Sequence, residues 1–401
     1  MRFDRMRILI AQGDEASRIF LLNVLQNAGY KVTTTDNGYE AWELLQKKIY
    51  SIVIADFRLM GMEGIQLCRE IRSHKNHGYV YFIMVTEREK KDDITEAMNA
   101  GSDDCITKPY EKVEILARIL AGMRIISLEK ELKRKNKALS RANKMMQNNL
   151  LAARQLQMSF LPRIAPQIPG LTFSWFFKPC EMVAGDTFHC FKLDEEHVAL
   201  YLLDVSGHGV PAAMLSVMLS RTLTPFSARG GILIDGSAES GKCHIRPPQE
   251  IAQILNKRHP MDEEVGQYFT LLYTLIHIPT LELRLVCAGH PSLLHLTKNG
   301  QTNFIKSSGF PIGMFENVEY EEGRLSLTPG DRIFLYSDGV IEASNRWGGT
   351  YGTEGLLESL SKRQKRPLSK ITQGILNDIL RFTRGTEIRD DMTLLALSAG
   401  S

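Results

Sequence analysis

The sequence lacks the features that mark a secreted, disulfide-bonded or membrane-spanning protein. It has only six cysteines in 401 residues and no C-x-x-C pair, which argues against a disulfide framework or a cysteine zinc site and favours a reducing compartment. No run approaches about 18 consecutive apolar residues, so no membrane-spanning helix is predicted. The amino-terminal residues MRFDRMRILI carry charges where a secretory signal would be apolar. We therefore expect a cytoplasmic protein.

An excess of charge of one sign is also missing. The net charge of +3 is too small to argue for a nucleic-acid partner by itself. Hydrophobic residues make up 43% of the chain and charged residues 24%, as in ordinary soluble globular proteins. At roughly 100–200 residues per domain, the length predicts a multidomain protein. We place the divisions at 1–122, 123–158 and 159–401.

The first segment alternates short apolar runs with helical patterns. Five strands are predicted, at 7–11, 31–35, 51–55, 80–85 and 104–107. Five β–α repeats of this kind predict a doubly wound α/β fold with a parallel sheet. In such sheets the chemistry lies at the carboxyl ends of the strands.

Three polar residues lie at these strand ends. Asp56 follows the third strand, Thr86 the fourth and Lys108 the fifth. With M-E-G at 62–64 and G-S-D-D-C-I-T-K-P at 101–109, the segment resembles the receiver domains of two-component response regulators. The resemblance implies that Asp56 is a phosphoacceptor, that Thr86 and Lys108 contact its phosphoryl group with Mg²⁺ assisting, and that a sensor histidine kinase is a partner.

The segment departs from the receiver pattern at the metal position. Gln12 and Gly13 stand where the family has an acidic pair, and only Asp14 remains nearby. Because Mg²⁺ prefers carboxylate oxygens, we expect weak magnesium binding in the receiver. Cys105 also replaces the aromatic residue that usually couples to the threonine. Two interpretations stay open: a phosphorylation-driven switch, and a receiver fold kept for docking or dimerisation.

Apolar residues in the connector recur at spacings of three, four or seven, which predicts a long helix with a coiled-coil stripe. They are Ile125, Leu128, Leu132, Leu139, Ala142, Met146, Ala153 and Leu156. Residues 124–154 include nine basic residues and only two acidic ones. Such a helix could meet nucleic acid or a membrane surface. We favour a solvated basic face on a helix that pairs with its copy in a homodimer, and Pro162 should end it.

The third segment does not alternate strands and helices strictly, which predicts an α+β domain with mixed sheets. Strands are predicted at 172–177, 197–204, 270–277, 282–288, 292–296, 332–336 and 393–398. Helices are predicted at 209–226, 248–260, 353–362 and 368–382. The Gly/Ser-rich stretch 227–243 is expected to be a flexible loop.

Aspartates beside small residues recur at the ends of these strands. They are Asp186, Asp204, Asp338, Asp390 and Asp391. Several carboxylates gathered in one site cannot all stay ionised without a cation. Oxygen ligands favour Mg²⁺ or Mn²⁺ over Zn²⁺. Two such ions can activate a water and stabilise an in-line displacement at phosphorus.

The motifs around these aspartates are specific as a set. They are V-A-G-D-T-F, L-L-D-V-S-G-H-G-V-P-A-A, F-T-L, A-G-H-P, G-F-P-I-G, L-Y-S-D-G-V and R-D-D-M-T-L-L. The segment resembles the metal-dependent protein phosphatases of type 2C (the PPM family), in the subgroup of sporulation stage II E and sigma-B regulators. The resemblance implies an antiparallel β-sandwich flanked by helices around two metal ions. It also implies hydrolysis of a phosphoserine or phosphothreonine by a metal-bound water, with no covalent phosphoenzyme.

Carried over residue by residue, the resemblance names the metal ligands. Asp186 and Asp204 are ligands, with Asp204 bridging both ions and the carbonyl of Val205 adding a further ligand. Asp338 and Asp390 complete the set, and Asp391 ranks second because relatives have Asn or Asp there.

The resemblance implies a phosphorylated anti-sigma-factor antagonist as substrate. His208 and His290 are expected to order loops rather than transfer protons. Ser206 has no G-x-S-x-G surroundings and is not expected to be a nucleophile. The alternative function is a non-catalytic adaptor, which has no physical need for so many carboxylates. A DNA-binding regulator is less favoured because no helix-turn-helix pattern is present.

Overall fold

A computed structural model describes residues 6–74, 78–87, 91–224, 231–235, 244–261 and 266–400. The chain divides into two compact units, Met1–Lys144 and Met145–Ser401. No helix within these described ranges is both long and apolar enough to cross a membrane.

The first unit contains a five-stranded sheet in the order β2-β1-β3-β4-β5, and all four strand pairs are parallel. Its elements are β1 (Arg7–Ala11), α1 (Glu15–Asn27), β2 (Lys31–Thr35), α2 (Gly38–Lys47), β3 (Ile52–Asp56), α3 (Gly64–Ser73), β4 (Tyr81–Glu87), α4 (Lys91–Asn99) and β5 (Asp104–Lys108). Hydrophobic clusters cover both faces of the sheet. The predicted doubly wound α/β fold is confirmed.

One helix, α5 (Lys112–Phe160), contains the whole predicted connector. It begins eleven residues before the predicted boundary at 123, because the receiver's last helix continues into the heptad pattern and no proline interrupts it. Ile115, Ile119 and Ile126 are buried in the first unit, whereas Leu132 and Leu139 are exposed. The three-part division of the sequence stays a prediction.

The second unit is built on two antiparallel sheets of five strands, in the orders β15-β12-β11-β8-β7 and β14-β13-β16-β17-β6. The strands of its first half are β6 (Leu171–Lys178), β7 (Thr187–Lys192), β8 (His197–Val205), β9 (Ile234–Asp235), β10 (His244–Ile245) and β11 (Phe269–His277). The others are β12 (Glu282–Ala288), β13 (Leu293–Leu296), β14 (Thr302–Ile305), β15 (Gly323–Ser326), β16 (Arg332–Tyr336) and β17 (Met392–Ala399). The helices are α6 (Val210–Thr222), α7 (Pro248–Arg258), α8 (Asp338–Glu342), α9 (Gly352–Ser361) and α10 (Leu368–Phe382).

The strand β8 shows why the sheets stack as a sandwich. Its residues alternate between two buried faces, because successive side chains of a strand point in opposite directions. Val198, Leu200 and Leu202 pack between the two sheets. Tyr201 and Leu203 pack on the other face, against α6 and α7. The helices α8–α10 cover the second sheet in the same way, so the predicted helix-flanked β-sandwich is confirmed.

Part of the predicted loop at 227–243 has regular structure. β9 pairs antiparallel with β10, so Ile234 and Asp235 belong to a short ladder. The sequence pattern missed it because a strand of only two residues, one apolar and one acidic, is too short to give a periodic signal. The remainder of that prediction, apart from 231–233, lies outside the described residues.

Candidate metal centre

Strand ends from both sheets bring four of the predicted carboxylates to one region of the second unit. Asp204 ends β8, and Asp338 begins α8 directly after β16. Asp390 precedes β17, and Asp186 precedes β7. A cavity of about 290 Å³ is lined by Asp204, Val205, Ser206, Gly207, His208, Tyr268, Thr270, Asp338, Arg389 and Asp390.

Asp186 is the most deeply buried of these carboxylates, at 1% exposure. Its Oδ2 accepts a hydrogen bond from Thr393 Oγ1 at 2.5 Å, while its Oδ1 is buried with no partner among the described residues. Burial raises the pKa of Asp186 well above its usual range, and the nearby charges of Asp204 and Asp391 add to the shift. A buried, half-satisfied carboxylate of this kind is costly unless a cation compensates it.

The charged forms of Asp204 and Asp338 are destabilised in the same way. Burial, followed by the charges of Asp338 and Asp390, raises the pKa of Asp204 to about 8. Burial and the charge of Asp390 also raise the pKa of Asp338, whose Oδ1 is buried without a described partner. The carboxylates therefore destabilise one another's charged forms, and a bound cation would relieve that repulsion.

The neighbours Asp390 and Asp391 have different environments. Asp390 is exposed as a whole residue and lines the cavity, but surrounding protein atoms partly desolvate its carboxyl group and raise its pKa. Asp391 is 4% exposed, and backbone N–H groups use both of its oxygens. Its Oδ1 accepts from Cys180 N at 2.8 Å, and its Oδ2 accepts from Gly185 N at 2.7 Å and Asp186 N at 3.3 Å. Asp391 thus anchors the segment that presents Asp186.

The carbonyl of Val205 meets the same segment. A Cβ at Gly185 would lie 3.0 Å from Val205 O, so glycine there lets the backbone of the Asp186 segment approach the end of β8. Within the described ranges, no three acidic, histidine or cysteine side chains are already spaced to hold a metal ion. The donor set nevertheless fits hard divalent cations, because it is all oxygen and includes two orphaned buried carboxylate oxygens.

The two histidines and the serine of these motifs have structural partners. His208 is exposed and pairs through Nδ1 with Glu181 at 2.8 Å. His290 is buried, which lowers its pKa to about 3, and its Nδ1 lies 2.7 Å from Thr270 Oγ1. Ser206 Oγ accepts from Tyr268 N at 3.0 Å. These contacts support the expected roles in ordering loops.

Sequence reasoning missed a buried glutamine at the end of the connector helix. Gln157 Nε2 donates to Ala184 O at 2.6 Å and to Ser216 Oγ at 3.1 Å, and Gln157 Oε1 accepts from Ala184 N at 3.0 Å. Ala184 is two residues before Asp186, and Ser216 lies on α6, which follows the Asp204 turn. The heptad pattern does not mark Gln157, because consecutive residues of a helix lie on different faces.

In the first unit, the three strand-end residues do not all meet. Lys108 Nζ donates to Asp56 Oδ2 at 2.9 Å. Burial raises the pKa of Asp56, and the pairing with Lys108 opposes that shift. Thr86 is buried with its Oγ1 unpartnered among the described residues.

At the position where receiver domains have an acidic pair, this chain has the neutral residue Gln12. Gln12 is 1% exposed. With its amide nitrogen toward Asp56, it donates to Asp56 Oδ2 at 2.7 Å and accepts from Lys108 Nζ at 3.0 Å. Asp14 instead caps α1, where its hydrogen bond with Ser17 lowers its pKa. Gln12 therefore completes the Asp56–Lys108 pair without adding the negative charge that Mg²⁺ requires.

Comparison with known proteins assigns both units. Residues 194–400, slightly more than half of the chain, match the family described as Stage II sporulation protein E (SpoIIE). Residues 8–120 match the response regulator receiver domain. The arrangement is thus a receiver domain followed by a phosphatase domain of the PPM type.

Individual relatives are distant. Phosphoserine phosphatase RsbP of Bacillus subtilis (strain 168) is 26% identical over 216 residues, which cover 54% of this chain and 49% of RsbP. Phosphoserine phosphatase RsbU of the same strain is 24% identical over 246 residues, covering 61% of this chain and 68% of RsbU. The chain thus spans about half the length of RsbP. The SiaA-PP2C domain of Pseudomonas aeruginosa has a similar fold, with a TM-score of 0.53 at 19% identity over 64% of this chain and 98% of that domain.

Proposed function

The chain belongs to the Stage II sporulation protein E (SpoIIE) family, and on that basis we propose that it is a metal-dependent protein serine/threonine phosphatase. The observation that carries the proposal is the cluster of strand-end carboxylates, two of them with orphaned buried oxygens. A cluster of carboxylates that raise one another's pKa values destabilises the fold unless cations balance their charge.

The proposed ligands are the side chains of Asp186, Asp204, Asp338 and Asp390, with the carbonyl of Val205. Bound Mn²⁺ or Mg²⁺ would supply an activated water and neutralise charge on the phosphoryl group. Asp391 holds the backbone of the Asp186 segment rather than a metal ion, because both of its oxygens already accept hydrogen bonds. Thr393 orients the Asp186 carboxylate through Oδ2.

The proposed substrate is a phosphorylated anti-sigma-factor antagonist, a small protein with a phosphoserine. The similarity to RsbP and RsbU, both phosphoserine phosphatases, supports the phosphoserine part of this proposal. We place the enzyme in the cytoplasm, where thiols such as the buried Cys68 and Cys190 stay reduced.

We further propose that the connector controls the metal centre. Gln157 joins the end of α5 to the segment before Asp186 and to Ser216 on α6. A rotation of α5 would therefore move Ala184 and displace Asp186. This contact gives a physical route from the helix to the site.

The exposed stripe of α5 supports a homodimer. Leu128, Leu132 and Leu139 are 65%, 54% and 60% exposed, although they are apolar and spaced as in a coiled coil. A second copy of the helix would bury them. The double variant Leu132→Glu/Leu139→Glu should sediment as a monomer, whereas Lys133→Glu, on a neighbouring position, should not change the oligomeric state.

For the receiver we propose Asp56 as the phosphoacceptor, served by a sensor histidine kinase. Because Gln12 replaces an acidic residue, magnesium should bind weakly, and phosphorylation of Asp56 should therefore be slow.

The direct test of the proposed activity is a manganese-dependent assay on a phosphoserine peptide with the full chain. Wild-type protein should release phosphate only with Mn²⁺ or Mg²⁺ present, and Asp204→Asn should lose that activity. Asp235→Asn, a change of the same chemistry on the short β9 ladder, is the matched control and should keep it. Metal-independent hydrolysis, or full activity in Asp204→Asn, would refute the proposal.

A further inference from the structure

One basic side chain lies among the acids of the candidate metal centre. Arg389 lines the 290 Å³ cavity together with Asp204, Asp338 and Asp390. It is the only lysine or arginine among the described residues of that lining. A cation at this position faces whatever enters the cavity.

The guanidinium of Arg389 is not used by the protein itself. Among the described residues it has neither a hydrogen bond nor an ion pair, although three carboxylates line the same cavity. The other basic group of the lining, His208, is paired with Glu181. The five donors of Arg389 are therefore available to a ligand.

The backbone on both sides of Arg389 is held in place. Ile388 packs against the hydrophobic cluster under α9 and α10. Two residues beyond Arg389, Asp391 is fixed by the backbone N–H groups of Cys180 and Gly185. The side chain of Arg389 is exposed, but its Cα is positioned by these two anchors. The fixed position of the Arg389 Cα limits the region that the guanidinium can reach.

The charge around the cavity selects an anion as the ligand. Arg389 would repel the divalent cations that the carboxylates fit, so it does not belong to the metal ligand set. With divalent cations bound beside the carboxylates, the added positive charge of Arg389 would favour an anion at the mouth of the cavity. The second cavity that Arg389 lines, of about 280 Å³, also contains Glu342 and Glu387, which disfavour an anion there. The planar fork of arginine matches two oxygens of a phosphate group.

We propose that Arg389 is a substrate-binding residue that holds the phosphoryl group of the phosphoserine over the metal centre. The inference rests on the proposed phosphatase function and adds a role for the arginine of R-D-D-M-T-L-L, to which the resemblance assigns none. The same contact would bind the product, inorganic phosphate.

The test compares Arg389→Ala, Arg389→Lys and the control Arg384→Ala in the full chain. Arg384 is exposed in the same loop and carries the same charge, but it lines neither cavity. Calorimetry with Mn²⁺-loaded protein measures the Kd of inorganic phosphate. Hydrolysis of a phosphoserine peptide measures KM, kcat and the Ki of phosphate.

For Arg389→Ala we expect the phosphate Kd and Ki and the peptide KM to rise roughly 10- to 100-fold, as for a lost charge-assisted hydrogen bond, with a smaller change in kcat. Arg389→Lys should recover part of the affinity, and Arg384→Ala should match wild type. Mn²⁺ affinity should not fall in any variant, and Arg389→Ala should bind Mn²⁺ slightly more tightly because a like charge is removed. The thermal midpoint should not change in any variant. Unchanged phosphate affinity in Arg389→Ala, or an equal loss in Arg384→Ala, would overturn the inference. Wild-type protein could bind phosphate through Arg389 and yet fail to hydrolyse the phosphoserine peptide. That result would support the phosphate site and refute the phosphatase activity.

Discussion

Asp390→Asn and Asp391→Asn should have different defects, the first in Mn²⁺ affinity and the second in the free energy of unfolding. The sequence R-D-D-M-T offers both as metal ligands, whereas the structure gives them different hydrogen bonds, from which we propose different roles. Asp391 accepts three backbone N–H groups in a buried setting. Asp390 is exposed and accepts one, from Asp391 N at 2.8 Å.

The magnitude for Asp391→Asn follows from the hydrogen bonds. Asparagine keeps one acceptor oxygen, and its NH₂ group must then face Gly185 N and Asp186 N or Cys180 N, which are donors as well. Hydrogen bonds to charged groups contribute about 1.5–3 kcal/mol each, and an unsatisfied buried donor adds to the loss. We expect Asp391→Asn to lower the free energy of unfolding by roughly 2–4 kcal/mol. For a domain of this size, that lowers the thermal midpoint by about 5–10 °C.

Asp390→Asn should leave the metal-free stability unchanged or raise it. Asparagine Oδ1 can still accept from Asp391 N, and the change removes a charge that Asp204 and Asp338 oppose. Its defect should instead be in Mn²⁺ binding. Scanning calorimetry without metal and Mn²⁺ titration calorimetry separate the two effects. If Asp391→Asn is as stable as wild type and loses Mn²⁺ as completely as Asp390→Asn, the assignment of Asp391 as an anchor is wrong.

Three further predictions concern the receiver, the connector and the buried histidine. Gln12→Asp should speed Mg²⁺-dependent phosphate incorporation at Asp56 from acetyl phosphate, with Gln12→Asn as the control; no gain in rate would contradict the role given to Gln12. Gln157→Leu, of similar volume, should weaken Mn²⁺ affinity by about 10-fold or more because the Ala184 backbone loses both contacts, and unchanged affinity would exclude this route of control. Burial lowers the pKa of His290 to about 3, against 6.5 unfolded, so its contribution to stability is complete above pH 6.5 and is lost as pH falls toward 3. Unfolding midpoints of wild type and His290→Asn should therefore converge as pH is lowered from 7 to 4, and a constant difference would contradict the buried neutral state.

The elements with strong local patterns could be predicted from the sequence. The strand β8 reads as an apolar run because both of its faces are buried. Asp204 stands at its end whatever the rest of the fold does. The short edge strands β14 and β15 were missed because their residues are largely exposed and carry little apolar pattern.

The roles of individual side chains could not be predicted where they depend on distant partners. Asp391 and Gly185 are 206 residues apart, and they meet only through the pairing of strands in the second sheet. The contact between Gln157 and Ala184 also depends on packing rather than on local sequence. Gln12 was recognised as a departure, but its bridge between Asp56 and Lys108 required coordinates.

The central claim is that Asp186, Asp204, Asp338 and Asp390 close around divalent cations. Anomalous scattering from crystals grown with Mn²⁺ tests it most directly. We predict two manganese peaks in the cavity beside Asp204, with carboxylate oxygens of all four residues drawn in around them. Crystals with no anomalous peak in the cavity and with these side chains still apart would contradict the claim.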